Sequence, residues 1–121
     1  MIILDYKDRR PIYEQIVERF QELMIVGIME KDSQLPSVRN LAMDLSINPN
    51  TIQRAYAELE RQGYIYSIKG KGNFVADNDH IKESKKNGLY TRQEELAKEG
   101  LLLGVEEEKF HNIIHQIYGR E

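Results

Sequence analysis

The chain contains no cysteine. That excludes disulfides and thiolate metal centres, and it suits a reducing cytoplasm. Long hydrophobic runs are missing too. The longest unbroken stretch of apolar residues or glycine, Leu23 to Met29, has seven residues, against the ~20 that a membrane-spanning helix needs. No membrane association is therefore expected. The N-terminal MIILDYKDRRP lacks the basic-then-apolar order of a secretory signal, so a cytoplasmic location is expected. There is no internal repeat and no low-complexity tract. No Walker-type phosphate loop and no nucleophile–base pair at a recognisable spacing occurs, so neither an enzyme nor a cofactor is expected. Prolines number three, Pro11, Pro36 and Pro49, and each stands just ahead of, or at the start of, a helical pattern.

An excess of positive charge is also lacking. Formal net charge is −3, which argues mildly against a nucleic-acid partner, because the phosphate backbone rewards surplus Lys and Arg. The distribution matters more than the total. Residues 1–77 hold ten Lys/Arg against eleven Asp/Glu, and residues 78–121 hold seven against nine. What binding requires is a local basic face. At 121 residues, with 40% apolar and 31% charged side chains, the composition is that of one compact soluble domain, or a small domain with an appendage.

Apolar spacing marks the elements. A first helix is expected from Pro11 to about Val26: Ile12, Ile16, Phe20, Leu23 and Met24 recur at intervals of three and four, and Gly27 stops it. Ser37 is a good N-cap for a second helix, Val38 to about Leu45, whose buried face is Val38, Leu41, Ala42 and Leu45. Ser46-Ile47-Asn48 makes a tight turn anchored by Ile47. A third helix runs from Pro49 to Gly63, with Ile52, Ala55, Tyr56 and Leu59 on one side and Asn50, Gln53, Arg54, Ala57 and Arg61 on the other. Tyr64–Ile68 reads as a strand, Lys69-Gly70-Lys71-Gly72 as its turn, and Asn73–Ala76 as the return. Asp77–Gly88, polar and without a hydrophobic repeat, is expected to be linker or frayed helix. Beyond it lie a helix ended by Gly104 and a last one, Glu106 to Tyr118, with Phe110, Ile113, Ile114 and Ile117 on one stripe.

Two short helices, a tight turn and a lysine-tipped hairpin, in that order, describe a helix-turn-helix followed by a wing. In that shape the second helix of the pair enters the major groove of DNA. Asn50, Thr51, Gln53 and Arg54 sit in the first turns of that helix, the end that reaches deepest. Gln53 suits a bidentate pair with adenine, and Arg54 one with guanine or a phosphate. The backbone N–H groups there also favour a phosphate. The plain alternative for this face is solvation. Ser37 and Arg39 open the preceding helix; Arg39 is placed to clamp a phosphate, or else to pair with Asp44 at little gain. Lys69, Gly70 and Lys71 put two cations on a tip that glycine lets approach closely, fit for the minor groove and its phosphates.

His111 and His115, four apart with Glu108 nearby, have a spacing that could hold a divalent metal. A defined third ligand is missing, and exposed or interface histidines are the simpler reading, so no metal is assigned. The apolar positions from Leu96 to Ile117 are too many for a pair of exposed helices. They either pack back on the first helix or bury against a second copy. A dimer also answers a specificity problem, because one winged domain reads too few base pairs to select a genomic site, whereas a two-fold pair reads two half-sites.

At these residues the chain resembles the GntR family of bacterial transcription regulators, and its length is similar to that of the small YtrA-type branch. The resemblance is carried by PIYEQI (11–16), LPSVRNLA (35–42), NPNTIQRAYAELERQGYI (48–65) and GKGNFVA (70–76). It implies a DNA contact for Arg39 and for the early third-helix positions Asn48, Pro49, Asn50, Thr51 and Gln53, and a wing tip at Lys69 and Gly70. LLLGVEEEKFHNII matches faintly what that branch uses as a two-helix dimerisation segment. Asp32 stands where many members have glycine, and Asp tolerates a left-handed backbone better than most residues. Pro49 stands where some members carry arginine, so base preference does not carry over. About forty residues follow the wing, too few for the large ligand-binding domain of most relatives, and a small-molecule effector is left unassigned.

The expectation is thus an α+β, mainly helical fold: a winged helix-turn-helix over residues 1–77, and a linker with a helical dimerisation tail over 78–121. The expected function is sequence-specific binding of double-stranded DNA by a transcription regulator, a repressor acting as a homodimer on a palindromic operator. By resemblance its target is a nearby operon, often one for an ABC-type transporter. Two rivals remain: a winged-helix protein-interaction module without specific DNA binding, and a metal-dependent hydrolase built on Glu108, His111 and His115.

Overall fold

The computed structural model describes residues 2–119. Along the chain run α1 (Ile12–Ile25), α2 (Val38–Leu45), α3 (Pro49–Arg61), β1 (Ile65–Ile68), β2 (Gly72–Val75), α4 (Asp79–Leu103) and α5 (Glu107–Tyr118). Two compact units result, Met1–Lys82 and Glu83–Glu121.

In the first unit, helix ends follow local chemistry. Pro11 caps α1, and its carbonyl accepts the Glu14 N–H at 3.1 Å. Ser37 caps α2 by accepting the Asn40 N–H at 3.1 Å, and Asn48 caps α3 by accepting the Asn50 N–H at 2.8 Å, with Pro49 in the first turn; each satisfies an amide that the helix itself leaves open. Between α2 and α3, Ser46 takes a left-handed backbone (φ 55), and the Ile47 N–H returns to the Ala42 carbonyl at 2.9 Å. That compact C-cap turns the chain within three residues.

The apolar stripes then close one core. Ile16, Phe20 and Met24 of α1, Leu41 and Ala42 of α2, and Ile52, Ala55, Tyr56 and Leu59 of α3 are buried together with Tyr64, Ile65 and Val75 of the hairpin. Phe20 and Tyr56 meet edge to face, with centroids 5.7 Å apart, a geometry that suits their ring quadrupoles. The Tyr56 hydroxyl donates to the Pro36 carbonyl at 2.7 Å, and burial pushes its phenol pKa up. Gln15 is a buried polar residue whose amide exchanges two hydrogen bonds with the Asp5 backbone, at 2.9 and 3.0 Å. This satisfied pair fastens the N-terminal segment, so that Ile2 joins the core.

The hairpin pairs antiparallel, Ile65 with Val75 through Ile68 with Gly72. A third extended segment lies along β2: Gln34 bridges Phe74, the Leu35 N–H reaches the Asn73 carbonyl at 2.9 Å, and the Val75 N–H reaches Ser33 at 2.9 Å. Asp32, which opens this segment, is left-handed (φ 67). It donates its N–H to the Val75 carbonyl at 2.7 Å and accepts the Tyr66 hydroxyl at 2.8 Å, a bond that holds the Tyr66 phenol above its usual pKa.

Of the two readings left open for Asp77–Gly88, linker or frayed helix, the structure excludes the linker. From Asp79 onward the stretch is regular helix, continuous with the helix that ends before Gly104. Its Lys and Glu residues are good helix formers, but it lacks an apolar stripe, and periodicity alone therefore overlooked it. In the second unit α4 and α5 meet at Gly100. A Cβ there would lie 2.4 Å from Phe110 Cε2, so only glycine lets the ring sit this close. The apolar residues Leu101, Leu102, Leu103, Ile113, Ile114 and Ile117 remain exposed.

Candidate nucleic-acid interface

The amphipathic split of α3 is the basis of the site. Its apolar side is buried, and Asn50, Gln53, Arg54, Ala57 and Arg61 are all exposed, as the 3.6-residue period demands. The exposed side serves two separate hollows. Gln53 lines a groove of about 460 Å³ between α3 and the hairpin, together with Ala57, Glu60, Ser67, Gly70 and Lys71. Asn50, Thr51 and Arg54 line a cleft of about 460 Å³ on another flank, with Pro11, Ile12 and Tyr13 of α1. Ser37, Arg39, Asn48 and Lys69 are exposed but line neither hollow. Two of these also have structural duties, since Ser37 and Asn48 are the helix caps described above.

Charge is partitioned in a telling way. Arg10 pairs with Asp8 at 2.7 Å and with Glu18; Arg19 pairs with Glu22 at 2.9 Å, Lys31 with Asp77 at 3.9 Å, and Arg61 with Glu58. Arg39, Arg54, Lys69 and Lys71 form no ion pair among the described residues. Lys7, Arg9, Lys82, Lys85, Arg92, Lys98 and Lys109 likewise form no ion pair among the described residues, so what marks the α2–α3–hairpin surface is that four unpaired cations stand on its elements. The pairing of Arg39 with Asp44 considered from sequence does not form. Arg61 sits on the exposed side as expected, yet its guanidinium is committed: Nε donates to Glu58 at 2.9 Å.

Several residues that hold this surface in shape were not singled out from sequence. The Gln34 side chain donates to the Lys71 carbonyl at 2.8 Å and braces the hairpin tip. Gly72 has a positive φ of 124, which L side chains rarely adopt, and a Cβ there would also come within 2.8 Å of that amide, so glycine suits both the backbone and the brace. The Ser67 hydroxyl stands 3.1 Å from Glu60 and 2.9 Å from Asn73, and donates to one of them at a time across the groove floor. Tyr66 stacks on Phe74 at 5.7 Å and stiffens the hairpin. No local pattern announces these contacts, because each joins side chains from separate segments.

The histidine constellation does not assemble a metal site. His111 Nε2 lies 3.1 Å from Glu107, not Glu108, in an exposed pair, and among the described residues no cluster of three or more His, Asp or Glu is arranged to hold a metal. No helix among them is long and apolar enough to cross a membrane.

Three helices, the turn between α2 and α3, and a braced hairpin beside an exposed polar helix face define a winged helix-turn-helix. Residues 12–75 match the model of the bacterial regulatory proteins of the gntR family, and the chain belongs to that family. It is 40% identical over 119 residues to the HTH-type transcriptional repressor YtrA of Bacillus subtilis, covering 97% of this chain and 92% of that one. A transcriptional regulator from Oenococcus oeni superposes with a TM-score of 0.74 at 34% identity, covering 98% of this chain and 99% of that one. The DNA-binding domain of AraR, solved in complex with its operator, superposes at 0.54 with 29% identity over 63% of this chain and 93% of that one. Domains of this type bind DNA, and the chain is a DNA-binding transcription regulator rather than a member of an enzyme family.

Proposed function

We propose that the protein is a cytoplasmic repressor that binds a palindromic operator as a homodimer, with α3 in the major groove and the hairpin tip on the flanking minor groove and phosphates. The observation that carries this reading is the set of unpaired cations, Arg39, Arg54, Lys69 and Lys71, on the elements around the exposed polar face of α3. In this reading Gln53 and Asn50 read base edges, Thr51 and Arg39 position the helix on the backbone, and Ser37 and Asn48 present capped helix starts to phosphates. Gly70 lets the tip approach. Repression is supported by the likeness to the Bacillus repressor, and acts by occupying the promoter.

The homodimer is supported by the second unit. Leu101 is 82% and Ile117 65% exposed there, and an apolar face of that kind on a soluble protein marks an interaction surface. Two copies joined through it would place two α3 helices on half-sites about one helical turn or more apart.

The test is a gel-shift with the full chain on fragments of its own upstream region. One fragment should be preferred strongly over the others. Arg39→Ala and Gln53→Ala should each weaken that complex by roughly ten-fold, about 1.4 kcal/mol, with the melting temperature nearly unchanged. Equal loss of folding and binding would make both residues structural, and the absence of any preferred fragment would favour a protein-docking role.

A further inference from the structure

Gln53 and Arg54 are adjacent in sequence, yet they line different hollows. Arg54 turns toward α1, and its guanidinium carbon sits 3.9 Å above the centroid of the Tyr13 ring. We infer that Tyr13 is a positioning residue for Arg54, and that the pair forms a clamp for a backbone phosphate rather than a reader of a base edge. The inference rests on the reading of Arg54 as a DNA contact.

Tyr13 lies in the first turn of α1, half-buried, with its ring packed against the core cluster. The ring is therefore a fixed shelf. Its hydroxyl has only a 3.5 Å contact with Glu14, so the part of Tyr13 that acts on Arg54 is its π face. A guanidinium stacked on that face keeps its in-plane N–H donors free while one broad side is covered. Stacking also confines a long side chain that would otherwise sample many rotamers. The direction of confinement decides the role. A helix lying in the major groove has base edges below it and sugar-phosphate strands along its flanks. Gln53 faces the hollow shared with the hairpin, whereas Arg54 is drawn sideways to the start of α1, where a flanking strand would pass with α3 in the groove. Arginine held at such a place fixes register and adds affinity without reading sequence.

The test uses the full chain and a duplex selected from random DNA by the chain itself, with every single-base variant of that duplex, titrated at several salt concentrations. Arg54→Ala should weaken binding to all variants alike and lower the slope of log affinity against log salt by about one. Tyr13→Leu should weaken binding about two- to five-fold, and add nothing once Arg54→Ala is present. Tyr13→Phe, which keeps the ring, should restore binding relative to Tyr13→Leu. Should Tyr13→Leu unfold, Tyr13→Phe carrying graded ring fluorination keeps the shape while draining the negative face, and affinity should fall in step. Fully additive losses of Tyr13→Leu and Arg54→Ala, or affinity indifferent to fluorination, would overturn the positioning role. A changed preference at one base position in Arg54→Ala would overturn the phosphate assignment. No effect of Arg54→Ala on affinity or slope would instead remove Arg54 from the interface, leaving the Gln53 and Arg39 assignments to their own tests.

Discussion

The two units of this chain treat apolar side chains in opposite ways. In Met1–Lys82 three helices and a hairpin bury their stripes against one another, and α3 shows solvent only its polar side. In Glu83–Glu121 two helices touch closely at Gly100, yet α5 has no buried residue among those described. Both α3 and α5 are strongly amphipathic. The first has its partner within the chain, and the second leaves an apolar face uncovered. A helix pair is too thin to enclose a core of its own, so the second unit has the makings of half of an interface, while the first is a finished domain whose exposed polar surface is left for DNA.

This contrast can be broken most forcefully at its cores. Leu59 is fully buried and Leu102 is 86% exposed. Leu59→Ala should cost about 3 kcal/mol of unfolding free energy, whereas Leu102→Ala should stay within about 0.5 kcal/mol. Denaturant melts of both variants, at a protein concentration low enough to separate two copies, would measure this, and equal costs there would mean that Leu102 is buried within its own chain. Next in size is the interface itself. Ile113→Asp with Ile117→Asp should yield a monomer by sedimentation and weaken operator binding on the order of 100-fold, because avidity between half-sites is lost. A double variant that still sediments as a dimer would place the interface elsewhere.

A smaller effect sharpens the polar side of the comparison. Lys69→Ala with Lys71→Ala should lower the salt slope of log affinity by up to about two, and an unchanged slope would take the hairpin tip off the DNA. The smallest effect concerns the paired charges. Hydrogen bonds from Arg61 and then from Gln62 hold the Glu58 carboxyl down at about 2. A depressed carboxylate adds stability above its ordinary range and loses it as pH falls toward the folded value. The melting temperature should therefore decline slightly more between pH ~4.5 and ~2 in the native chain than in Glu58→Gln. The pair lies at the surface, Arg61 exposed and Glu58 half-buried, so the difference should be slight.

Much of this arrangement could be read along the chain. Ser37 and Asn48-Pro49 mark helix starts, Gly27 and Gly104 follow helix ends, and the buried residues of α3 are those that a 3.6-residue period selects. Such signals are local: a cap or a stripe acts over a turn or two of backbone, and neighbours in sequence suffice to state it. The start of α4 escaped because helix-forming Lys and Glu leave no periodic trace when neither face is buried. The distribution of free and paired arginines, the Gln34 brace on a tip 37 positions away, and the parting of Gln53 from Arg54 became visible only in three dimensions. Each depends on side chains that folding brings together from distant segments, and an ion pair, a brace or a cation over a ring is a matter of distance in space that one-dimensional spacing does not encode.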